Sequence, residues 1–113
     1  MSAKAKRLAG LARLAHLQCE AELAALAALT TREREMGARL EALKAQGRDT
    51  HAHLATDPQA GLRALAYLRF LAVEEARVSQ ARQSLQPKIA AQKATTAQAV
   101  GRHDVLQKLA KGR

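Results

Sequence analysis

Apolar residues recur along most of the chain at three- and four-residue intervals, the spacing that lines one face of an α-helix. Cys19, Leu26, Glu33 and Leu40 fall seven apart, and Glu22, Leu29, Met36 and Leu43 repeat three positions later. This is the a/d pattern of a coiled-coil seam, interrupted by two glutamates. Upstream the stripe widens, because Leu8, Leu11, Leu14 and Leu17 recur every third residue and Leu23 flanks the seam. Ser2 can cap this segment and no proline interrupts it, so the pattern predicts a first helix over about 2–46. At about 1.5 Å per residue it would run roughly 65 Å, a rod rather than part of a globule.

A second seam follows. Leu71, Val78, Leu85, Gln92, Ala99 and Leu106 fall seven apart, with Leu68, Glu75, Arg82, Ile89, Thr96 and His103 as the companion row. The seam is apolar at first and polar in its second half. It predicts a second helix over about 57–110. Pro87 lies inside it, removing one backbone hydrogen bond and crowding the carbonyl of Gln83. Because the heptad frame continues across Pro87, a kink is expected; a split into a third helix is the alternative.

Between the seams, Gly47 suits the C′ position of a helix end, with Lys44 and Arg48 near the negative pole of the dipole. Residues 47–56 lack a clear period and read as the connection. Thr56 as N-cap with Gln59 three residues on forms a capping-box pattern, and Asp57-Pro58 suits a first turn. Each helix needs a partner for its stripe, so the fold class expected is all-α. Two long helices would form an antiparallel coiled-coil hairpin, one unit over 1–113.

Composition narrows the classes further. Of 113 residues, 27 are Ala and 17 are Leu, against one Phe, one Tyr, no Trp and five Val plus Ile. Strands and globular cores favour branched and aromatic side chains, so all-β and α/β domains are excluded. Little here could wall off a dry pocket; no enzymatic activity and no cofactor are expected. Charge adds asymmetry to the net +9. Residues 1–19 carry four bases and no acid, residues 20–75 seven bases and nine acids, and residues 76–113 eight bases against Asp104. Folding back would set the two basic arms side by side at one pole, opposite a turn with Tyr67 and Phe70 beyond it. Such arms attract an acidic protein surface, nucleic acid or an anionic membrane.

Candidate chemistry is sparse. Cys19 is single, which precludes an internal disulfide and suits a small side chain in a helix interface. His51 and His53, with Asp49 and Asp57 nearby, are too few and too loosely placed for a metal site, so a solvated loop is the reading. His16 and His103 lie in the two arms and could approach each other as interface histidines. Arg32, Glu33, Arg34 and Glu35 mix signs within one turn, a solvated face with weak pairs. The six glycines are scattered and form no phosphate loop, and no Ser/His/Asp or Cys/His set has an orienting context. The basic arms lack aromatics for stacking on nucleic acid and bulky anchors for a membrane surface. No apolar run is long enough to span a bilayer, and Arg13, His16 and Gln18 interrupt any signal-peptide core. A cytoplasmic protein without a transmembrane segment is expected.

Tyr67 and Phe70, the only aromatics, are three residues apart near the turn. They either close the hairpin against the first helix or anchor a partner, aromatics being common hot-spot side chains. From Tyr67 onward, the stretch Tyr67-Leu68-Arg69-Phe70-Leu71, then Gln80-Ala81-Arg82-Gln83-Ser84-Leu85, and the long basic helix after it resemble the FliJ/YscO-like family. These proteins are central stalks of flagellar and type III secretion export ATPases. The resemblance covers the second half of the chain. The chain departs from the family pattern at Glu74 and Arg77, which stand at usually apolar positions, and at Ala81, where a His is usual.

The resemblance implies an antiparallel two-helix coil whose terminal end enters the hexameric export ATPase, while the region near the turn faces the export gate. It also implies export chaperones among the partners and a place at the cytoplasmic side of the inner-membrane apparatus. By charge, Arg7, Arg13, Arg102, Lys108 and Lys111 are the candidate ATPase contacts; by resemblance, Tyr67 and Phe70 are the candidate gate contacts. The expected function is a non-enzymatic stalk or adaptor coupling the ATPase ring to the gate, in either the flagellar or the injectisome system. The alternatives are a small coiled-coil secretion chaperone that binds substrate helices along its Ala-rich groove, or a basic nucleic-acid-associated hairpin.

Overall fold

The computed structural model describes residues 2–112. Two long helices dominate: α1 over Ala3–Thr56 and α2 over Gly61–Ala110, joined through Asp57 and a 3-10 turn at Pro58–Ala60. The protein is all-α, and the two helices pack antiparallel. Their packing divides into two compact units. The turn unit comprises residues 31–86; the basic unit pairs the chain up to Thr30 with the chain from Pro87 on.

Ser2 caps α1 as expected, its hydroxyl accepting a bond from the Ala5 amide at 3.1 Å. The other end corrects the sequence reading. Residues 47–56 are not a connection but the last turns of α1, which ends at Thr56. Helical backbone absorbs them because nothing there forbids it. Gly47 keeps a negative φ, Thr50 donates to the Gln46 carbonyl at 2.8 Å and the His53 ring pairs with the Asp49 carbonyl at 2.8 Å. The stop comes at Asp57, since a residue preceding proline is disfavoured in the helical region. The capping box does not form. Thr56 donates backwards to the His53 carbonyl at 3.0 Å, and the Asp57 carboxylate accepts the Gln59 amide at 3.2 Å instead. Asp57 thus organises the turn.

A helical Gly47 makes a definite prediction. A Cβ there would meet nothing within 4 Å, so Gly47→Ala should raise stability by about 1 kcal/mol through helix propensity. The urea midpoint should rise at an unchanged slope. A loss of stability would instead indicate the left-handed C′ conformation that the sequence alone suggested.

Within the turn unit the seam is apolar. Leu40, Leu43, Leu71 and Val78 form its core with Met36 packed against them, and Leu85 is also buried. Half-buried Glu75 and one paired polar layer interrupt it: Glu33, a seam imperfection in sequence, accepts a 2.6 Å bond from the Arg82 guanidinium. Glu33 is therefore not part of a solvated face. Gly37 makes room for this pair, since a Cβ there would lie 3.1 Å from an Arg82 guanidinium nitrogen.

The basic unit is held differently. Its buried residues are Ala15, Cys19, Ile89, Thr96 and Ala99, so its seam is made largely of small side chains. At its centre the Gln92 amide donates to the Glu22 carbonyl and to Thr96 Oγ1, each at 3.2 Å, and to the Glu22 carboxylate at 3.4 Å. Thr96 donates to the same Glu22 carbonyl at 3.2 Å. The second glutamate of the α1 seam is thus met by the polar row of α2. Helix α2 is continuous through Pro87, which removes the three-helix alternative. Pro87 is exposed, so the lost bond falls where water can solvate the freed carbonyl.

Candidate partner-binding surfaces

Antiparallel packing within the basic unit brings the two cationic arms together. His16 and His103, predicted to approach, lie with ring centroids 5.2 Å apart, and the His16 ring stands 3.8 Å from the Glu20 carboxylate. Ten lysines and arginines belong to this unit against Glu20, Glu22 and Asp104, a formal +7; the turn unit has nine against seven, a formal +2. All five residues assigned to a partner by charge, Arg7, Arg13, Arg102, Lys108 and Lys111, fall in the basic unit and are exposed. None forms an ion pair among the described residues.

Their placement also bears on the helix dipole. Lys4 and Lys6 occupy the first turn of α1, which contains no acid, and so oppose the positive pole of the dipole there. Lys108 sits in the last turn of α2, where a cation is favourable. The basic start of α1 therefore costs a little helix stability, and its charge faces solvent.

In the turn unit, Tyr67 and Phe70 stack with centroids 6.3 Å apart and an interplanar angle of 16°. Neither is buried: Tyr67 is 42% and Phe70 55% exposed. Tyr67 reaches α1 through its hydroxyl, which donates to the Gln46 amide oxygen at 3.1 Å. The two sequence readings thus combine, since Tyr67 ties the helices together while the stacked pair stays on the surface.

The departures from the family pattern at Glu74 and Arg77 form a bidentate pair, at 3.2 and 2.9 Å. The Arg77 hydrogen bonds hold the Glu74 carboxyl below its ordinary pKa. An ion pair thus stands one turn beyond Phe70.

Sequence reasoning missed the exposed aliphatic residues beside these sites. Leu62, Leu65 and Val73 are solvent-facing on α2, Leu62 at 85% exposure. In the basic unit Leu11, Leu14, Leu17, Val105 and Leu109 are likewise exposed. The signal was present in the spacing. Three residues turn a helix by about 300°, so leucines at a strict three-residue interval walk around it by roughly 60° per step. Leu8, Leu11, Leu14 and Leu17 cannot share one seam, and the seam takes Ala15 and Cys19 instead.

His51 and His53 stand on helical backbone, two residues apart and so on opposite sides of α1. Among the described residues no group of three or more His, Cys, Asp or Glu is placed to hold a metal ion. No helix among them is long and apolar enough to cross a membrane. No protein-family model, no curated protein and no solved structure matches this chain.

Proposed function

We propose that this protein is a non-enzymatic stalk or adaptor of a bacterial flagellar or related type III protein-export apparatus, coupling the export ATPase ring to the export gate from the cytoplasmic side. The observation that carries this reading is the juxtaposition of the two basic arms in one unit of formal +7, with five exposed cations and, among the described residues, no paired acid for any of them. Such a surface suits an acidic ring lumen, because opposite potentials steer association and fix register. The stacked Tyr67 and Phe70 offer the gate a rigid aromatic anchor, as the resemblance implies.

Reversing Arg102 and Lys108 to Glu should weaken binding to the cognate export ATPase about tenfold or more and abolish any stimulation of hydrolysis. Both side chains are exposed, so the melting temperature should stay within a few degrees of the parent. Pull-down and hydrolysis rates indistinguishable from wild type would refute the assignment.

The exposed leucines of the basic unit favour one second reading, an adaptor or chaperone that holds a substrate helix. Co-purification with exported filament subunits in place of the ATPase would select it.

A further inference from the structure

Within the basic unit, α1 and α2 do not close over their apolar side chains. A groove of about 820 Å³ runs between them, walled by Leu11 and Leu14 on α1 and by Val105 and Leu106 on α2, with buried Ala15 and exposed Gly101 also in its lining. Leu11 is 49%, Leu14 64% and Val105 58% exposed. The cause is local. The seam here uses Ala15, Cys19, Thr96 and Ala99, which are too small to fill the space between two helices and leave the leucines outside it. Gly101 leaves room in this lining, since a Cβ there would touch nothing within 4 Å.

Two helices bordering an open apolar trough make a seat for a third, read through apolar anchors at i, i+3 or i+4, and i+7. Charge selects the occupant. Arg102 lines the groove; Arg7 precedes Leu11 by one turn, and Lys108 follows the wall residue Val105 by three residues. The unit as a whole is formally +7, so a second copy seated here would bring like charge against like. A helix with acidic flanks meets both the apolar walls and the basic rim.

We infer that the groove between residues 11–18 and 98–106 is a docking site for an amphipathic helix of a partner protein, with aliphatic anchors on one face and Asp or Glu along its flanks. This does not depend on the stalk reading, because the assay contains no ATPase.

The probe is a fluorescein-labelled helical peptide of about 18 residues, with leucines at i, i+4, i+7 and i+11 and glutamates on both flanks. Its binding to the full-length protein is followed by anisotropy. Binding should weaken with added salt, and a twin with lysine for every glutamate should not bind. Leu14→Ser and Val105→Ser remove exposed walls without touching the buried seam, and each should reduce affinity about tenfold. Gly101→Leu adds a large side chain to the groove lining and improves helix propensity. It should abolish peptide binding while raising the melting temperature, which a misfolded variant would not do.

Equal binding of the lysine twin, or affinity unchanged in all three variants, would overturn the inference. So would a concentration-dependent dimer lost in Leu14→Ser, since the occupant would then be a second copy. Retention of duplex DNA that Gly101→Leu abolishes would assign the groove to nucleic acid and overturn it equally.

Discussion

Leu43→Ala should lower stability by about 2–5 kcal/mol, the range for deleting a buried leucine and leaving part of its cavity. Leu43 is the most deeply buried large side chain described, at 1% exposure, and it packs in a cluster with Leu40, Leu71 and Val78 from both helices. Met36 lies against that cluster and is flexible enough to lean into the space, which favours the lower half of the range. The loss should appear as a lower urea midpoint with little change in slope. A change under about 1 kcal/mol would mean that the turn unit is not anchored where these contacts place it. Among the described residues of the basic unit only Ile89 is a comparable target, because Ala15, Cys19 and Ala99 present little volume to remove.

The polar layer of the basic unit should respond with opposite signs to partial and complete removal. Gln92→Leu alone withdraws the donor that faces the half-buried Glu22 carboxylate and should cost about 1–3 kcal/mol. The triple variant Glu22→Leu, Gln92→Leu and Thr96→Val replaces the whole layer by apolar side chains. It should gain up to about 1–4 kcal/mol, since a charge withdrawn even partly from water is commonly less favourable than a well-packed apolar layer. The backbone offers no objection, because the Glu22 carbonyl lies within α1 and keeps its helical partner. What the triple variant should lose is specificity. A seam without polar layers tolerates shifted register and added copies, so sedimentation should reveal self-association. Equal signs for the single and triple variants in denaturant would contradict this account.

Glu22 and Glu33 thus share a role. Each is a flaw in the apolar pattern of α1, and each is answered by a polar residue in the companion row of α2: Thr96 and its neighbour Gln92 for one, Arg82 for the other. Matching flaws admit one alignment of the two helices and penalise slips, because a slip buries an unpaired carboxylate. The groove variants and the charge reversals probe a different level. They act on surfaces that the seam leaves open, so apart from the helix-propensity gain of Gly101→Leu they should change binding with little effect on folding.

The fold class was legible in the residues because a seven-residue repeat carries its own geometry. The positions named as seam in both helices, from Cys19 to Leu43 and from Leu68 to Leu106, are all buried or half-buried. The antiparallel pairing follows from the same repeat, since two apolar stripes on one short chain must cover each other. Helix ends were less legible. Gly47 and the aperiodic stretch after it looked like a stop, but a helix needs a prohibition to end, and the chain supplies one only before Pro58.

Pro87 carries the same local signal as Pro58 and does not end α2. Buried Leu85 and Ile89 flank it, and packing on both sides outweighs one missing bond. The surface was decided by tertiary structure as well. Which leucines are covered depends on the angle at which the partner helix meets α1, a quantity absent from any one helix. That meeting leaves Leu11, Leu14 and Val105 beside the groove while Ala15, Cys19 and Ala99 take the seam. Local spacing dictates helices and their apolar stripe; only the pairing of two helices determines which part of that stripe remains open to a third.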